Sequence, residues 1–121
     1  MQQLARLMVS TDSGATPLSM DDVPEGTAKE ALAGGRVIAL FHVQGQFYAL
    51  DGVCPHAGGP LGCGALAGTT ITCPWHGWQF DVTTGRHGFN PRYQHPAFRV
   101  IVDGNALFVD LGESSGALPP T

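Results

Sequence analysis

Apolar residues in this chain come in short runs, and most runs are cut by Gly or Asp before they could complete an amphipathic helix. That punctuation favours strands and tight turns over helices. Residues 36–43, RVIALFHV, are rich in β-formers and are followed by Gln44-Gly45 and then by QFYAL at 46–50, the pattern of a hairpin. A second hairpin is expected from residues 98–102 through Asp103-Gly104-Asn105 to residues 106–109. Residues 4–9 can form a first strand. Residues 27–32 stay open, because their types favour helix while their setting favours strand. Only 13% of the residues are charged and 17 are Gly, which fits a turn-rich, all-β domain of antiparallel sheets better than a helical one. At 121 residues the chain is long enough for one domain with one substantial core.

Between the two hairpins the texture changes. Residues 52–80 contain no Asp, Glu, Lys or Arg, yet they hold all three cysteines and both tryptophans. Inside this window residues 65–67 and 70–72, around Gly68-Thr69, read as a small hairpin leading into Cys73, and Thr83-Thr84-Gly85 turns the chain afterwards. The expectation is a β framework over residues 1–112 with a smaller subdomain inserted at about 52–82. The tail at 113–121 is expected to be disordered.

Net charge is −4, which argues against nucleic acid or an anionic membrane as the main partner. The N-terminal stretch MQQLARLMVSTDSG has no continuous apolar segment and no small-residue cleavage pattern, and no run is long enough to span a bilayer. A cytoplasmic protein is expected. Three cysteines cannot all pair with one another, and two of them stand beside histidines, so metal binding is favoured over a disulfide framework.

Those two form Cys54-Pro55-His56 and Cys73-Pro74-Trp75-His76. Short spacings let both side chains of a pair converge from one turn, and each proline stiffens its turn. Gly58, Gly59 and Gly77 follow the pairs closely and allow close backbone approach. Two Cys and two His could hold one Zn²⁺ as a structural module. Zinc modules more often place Cys with Cys in one half of the site, whereas here each half is mixed. Mixed halves suit a two-metal centre, with both thiolates on one iron and both imidazoles on the other, as in a Rieske [2Fe–2S] centre.

With the following residues, the pattern is C-x-H and then C-x-x-H-G-W-x-F-D, and the chain resembles the Rieske proteins, most of all the soluble ferredoxin components of bacterial aromatic-ring dioxygenase systems. A weaker likeness extends to Val23-Pro24-Glu25-Gly26, to the strand Phe47-Tyr48-Ala49-Leu50 and to the terminal hairpin. The resemblance implies a Rieske fold with the cluster at the tip of a small subdomain, and Cys54, His56, Cys73 and His76 as its ligands. It implies a one-electron carrier between a flavin-containing, NAD(P)H-dependent reductase and a terminal oxygenase, with no bond-making chemistry of its own. A small Rieske-like subunit of an assimilatory nitrite reductase and a ferredoxin of another monooxygenase system are the alternatives of the same class; a zinc module is the alternative outside it.

Two neutral imidazoles in place of two thiolates leave the oxidised cluster uncharged, so it accepts an electron more easily than an all-thiolate cluster. High-potential Rieske proteins carry an additional cysteine in each motif, joined as a disulfide; here the corresponding place in the second loop is Trp75, and Cys63 has no counterpart. Those proteins also set Ser and Tyr hydroxyls near the cluster, where this chain has Trp78 and Phe80. A potential in the lower part of the Rieske range follows. Cys63 is expected to be a buried small residue, Trp78 a core residue, and Trp75 a residue beside the cluster. Pro91 is expected to belong to a covering loop. His42, His87 and His95 are left out of the ligand set because none has a cysteine at ligand spacing.

Overall fold

A computed structural model describes residues 4–11, 14–53, 59–75, 77–88 and 95–114. The strands are β1 (Leu4–Arg6), β2 (Met8–Thr11), β3 (Gly14–Pro17), β4 (Thr27–Ala33), β5 (Arg36–Val43), β6 (Gln46–Asp51), β7 (Ala65–Ala67), β8 (Thr70–Thr72), β9 (Gln79–Asp81), β10 (Ala97–Asp103) and β11 (Ala106–Ser114). They form a large sheet in the order β1-β11-β10-β6-β5-β4-β2-β3 and a small sheet β7-β8-β9, antiparallel throughout. The all-β expectation holds, and both predicted framework hairpins are present.

The first strand differs from the sequence expectation in an instructive way. It breaks at Leu7, which is fully buried and whose amide donates to the Leu107 carbonyl at 2.9 Å, while its own carbonyl accepts from Leu18 at 2.9 Å. Before the break β1 pairs with β11; after it β2 pairs with β4. One short N-terminal stretch therefore meets both β11 and β4, at opposite ends of the remaining framework strands, and draws the sheet towards a barrel.

The ambiguous segment is strand β4. It pairs along its whole length with β5, from Thr27 opposite His42 to Ala33 opposite Arg36, across a turn in which Gly34 and Gly35 both have positive φ (56° and 81°). Two positive φ values in a two-residue loop match the twist of the flanking strands, and the pairing overrides local helix preference. The β5–β6 turn meets the same demand with Gln44 (φ 53°) and Gly45 (φ 76°). Glu25 supports it by accepting from the amides of both residues, a pair of bonds that, led by the one from Gly45, holds the carboxyl below the usual glutamate range.

Strand β5 explains why its sequence does not alternate. Ile38 and Leu40 point into the core of the large sheet with Leu7, Leu18, Ala49, Leu107 and Val109. Ala39, Phe41 and Val43 face the other way, into a second core with Leu61, Ile71, Cys73, Phe80 and Val82. A strand covered on both faces reads as a continuous apolar run. The second core seats the small sheet on the barrel wall.

Candidate metal centre

Cys73 follows β8 directly and is almost fully buried (1% exposed) in the second core. Its amide donates to the Trp78 carbonyl at 2.7 Å, which closes the second loop at its base. Within that loop the Trp75 amide donates to Cys73 Sγ at 3.4 Å, a bond that stabilises negative charge on the sulfur. The first loop is gathered in the same manner. Gly52 donates to the Val37 carbonyl at 2.9 Å and accepts from Leu61 at 3.0 Å, and Val53 and Pro60 form a bridge across the loop mouth. A Cβ on Gly52 would lie 2.6 Å from Val37 Cγ1, so the loop can leave β6 at this angle only without a side chain.

The two loops meet at Gly59. A Cβ there would fall 3.0 Å from Cys73 Sγ and 2.8 Å from Trp75 Cγ, so the bare glycine backbone packs directly over the sulfur. The second loop thereby supplies a buried thiol with an amide donor, and the first loop ends against it. That environment fits a thiolate ligand shielded from water and stabilised by an N–H group. Cys54, His56, His76 and Pro91 lie outside the described residues. Replacing Gly59 with alanine is expected to cost about 1–3 kcal/mol through overpacking, read as a lowered urea midpoint; an unchanged midpoint would mean that the indole yields freely.

The remaining candidates fall into distinct places. Trp75 packs on Gly59 yet remains 51% exposed, so one residue borders both the sulfur and solvent. Trp78 is half-buried at the margin of the second core, edge-on to His87 with ring centroids 4.6 Å apart. Cys63 corrects the expectation of burial: it is exposed. It ends a short 3-10 turn, Leu61–Cys63, in which Leu61 and Gly62 are buried and Gly62 backs onto the Glu30 backbone, leaving the last residue turned outward. His42 is satisfied, with Nδ1 on the Val23 carbonyl at 2.7 Å and its ring stacked on Phe47 at 4.1 Å.

His95 is the residue that sequence spacing misses. It is 3% exposed, and its Nε2 lies 2.8 Å from the Asp51 carbonyl, 44 residues away, where the first loop begins. Nothing in the sequence near His95 announces that partner.

Comparison with known proteins agrees with this arrangement. The family model described as Rieske [2Fe-2S] domain matches residues 17–101. The naphthalene 1,2-dioxygenase system ferredoxin component of Pseudomonas aeruginosa is 32% identical over 102 residues, covering 84% of this chain and 98% of that protein. The p-cumate 2,3-dioxygenase system ferredoxin component of Pseudomonas putida is 38% identical over 96 residues, covering 76% of this chain and 80% of its own length. Among solved structures, a complex of reduced oxygenase and oxidized ferredoxin in carbazole 1,9a-dioxygenase matches with a TM-score of 0.72 at 28% identity, over 94% of this chain and 97% of that one. With a family match over most of its length and a small sheet seated on an antiparallel barrel, the chain belongs to the Rieske [2Fe–2S] ferredoxin family, whose cofactor is a Rieske-type [2Fe–2S] cluster.

Proposed function

We propose that this protein is a one-electron carrier that takes electrons from a flavin-containing, NAD(P)H-dependent reductase and delivers them to the terminal oxygenase of an aromatic-ring-hydroxylating system in the cytoplasm. Cys54, His56, Cys73 and His76 would hold the cluster, which supplies one-electron exchange when bound. The observation that carries this reading is Cys73 Sγ, buried beneath Gly59 and receiving the Trp75 amide. The protein's own part is to keep water from that sulfur and to offer its charge an N–H group. The half-exposed Trp75 leaves a short path from sulfur to surface, as an electron carrier requires. Trp78 and Phe80 contribute apolar rings in this region and no hydroxyl, which leaves the reduced, more negative state less stabilised.

The test is reconstitution: purified protein, a flavin reductase with NADH, and the cognate oxygenase, with product formation depending on the carrier. A colourless protein containing zinc, or one that accepts no electron from any reductase, would refute the reading. Redox titration is expected to give a potential below about +100 mV, in the lower part of the Rieske range; a higher value would contradict the argument from Trp75, Trp78 and Phe80.

A further inference from the structure

We infer that His95 is a positioning residue that latches the entrance of the first ligand loop, acting on the cluster through the backbone of Asp51. The inference rests on the reading that the loops hold a cluster, but its geometry is independent of that reading. Residues 95–96 and residue 51 are joined twice: His95 Nε2 lies 2.8 Å from the Asp51 carbonyl, and the Asp51 amide donates to the Pro96 carbonyl at 2.9 Å. His95 is also tied to the turn after β9, its amide donating to the Gly85 carbonyl at 2.7 Å. Gly85 has φ 82°, and a Cβ there would strike the His95 carbonyl, so the two backbones are in contact. The His95 ring packs on Phe80 with centroids 5.2 Å apart.

Asp51 passes this restraint to the loop. Its Oδ1 accepts from the Val53 amide at 3.0 Å, fixing the residue before Cys54, and its Oδ2 pairs with Arg36 at 3.0 Å. His95 thus braces a residue whose backbone and side chain together set the direction in which the first ligand loop departs.

The chemistry of the latch selects one protonation state. A carbonyl oxygen only accepts, so Nε2 must carry the proton. Among the described residues the buried Nδ1 has no hydrogen-bond partner, which a neutral imidazole tolerates as a bare lone pair. A second proton would place a charge and an unsatisfied N–H there. The charged and titratable groups on the neighbouring elements are Tyr48 and Asp51 on β6, Arg36 and His42 on β5, Arg99 and Asp103 on β10, and Asp81, Arg86 and His87 on β9 and the turn beyond it. Burial, the largest influence, holds the His95 pKa below the usual histidine value, against the raising effects of the Asp51 bond and charge. The sign follows: the unfolded or opened chain binds the proton more readily, so the latch is fully effective above the ordinary histidine pKa and is lost as pH falls below it.

The experiment follows loss of visible absorbance from the holoprotein in the presence of an iron chelator as a function of pH. For the wild type the rate is expected to rise about tenfold per pH unit below about pH 6.5, the slope of one proton taken up on opening. His95→Gln keeps a donor for the Asp51 carbonyl without a titratable ring, so its rate should stay within about twofold of wild type at neutral pH and lose the acid slope. His95→Phe should lose the cluster at least about tenfold faster at neutral pH, and the wild type should approach its rate as pH falls and the latch is protonated. An acid slope retained in His95→Gln, or a neutral rate unchanged in His95→Phe, overturns the inference. Hydrogen exchange on the wild type decides the matter even without the variants. Protection of the Asp51 and His95 amides should fall below about pH 6.5 before that of β11, and unchanged protection would refute the latch. A wild type lacking any chromophore would count against the proposed function, while the exchange result would still judge His95.

Discussion

Replacing Cys73 with serine is expected to abolish the visible absorption and the EPR signal of the cluster while leaving the barrel folded. The sulfur sits in the second core, 1% exposed, and the Trp75 amide and Gly59 are arranged around it. A serine hydroxyl is smaller, does not ionise near neutral pH, and would leave both the amide and the shielding glycine without the atom they are shaped for. The barrel core of Leu7, Leu18, Ile38, Leu40, Leu107 and Val109 does not include Cys73, so far-UV circular dichroism should change little. Iron content should fall from about two atoms per chain to near none. Cys63→Ser is the control: that thiol is exposed, and its replacement should alter neither iron content nor spectrum. A Cys73→Ser protein that retained a normal Rieske spectrum would remove Cys73 from the ligand set and with it the central observation behind the proposed function.

The parts of the structure that were legible beforehand are those governed by neighbours in sequence. Gln44-Gly45 marks its hairpin, and the C-x-H and C-x-x-H spacings at 54/56 and 73/76 carry the family resemblance, because turn chemistry and motif spacing act over a few residues. What was illegible depends on distant partners. The break at Leu7 exists because one strand must meet both β11 and β4, and no local signal in LARLMVS encodes that. Residues 27–32 are a strand because β5 lies beside them, whatever their own preference. The outward turn of Cys63 follows from the close contact of Gly62 with Glu30, more than thirty residues earlier. His95 shares its environment with Asp51 and Gly85, neither of which is near it in sequence at any ligand spacing. The family motif is therefore readable in the sequence, and the long-range packing around it is not.

That packing is where the second large effect is expected. Phe41→Ala should destabilise the protein by about 3–5 kcal/mol, a large share of the roughly 5–15 kcal/mol available to a domain of this size. Phe41 is fully buried on the face of β5 turned away from the barrel interior, and it shares its core with Leu61, Ile71, Cys73 and Phe80. The truncation leaves a cavity at the seam between the two sheets, and rigid β5, paired on both sides with Ala28 and Tyr48, cannot move in to fill it. Because Cys73 belongs to the same core, the cluster should also be lost at lower urea concentration, ahead of the fall in β-sheet signal. Trp75→Ala provides the contrast: its indole is half-exposed, and its removal should change stability by no more than about 0.5 kcal/mol. If Phe41→Ala cost no more than Trp75→Ala, the small sheet could not be seated on β5 as described, and Cys73 would owe its burial to something other than the barrel wall.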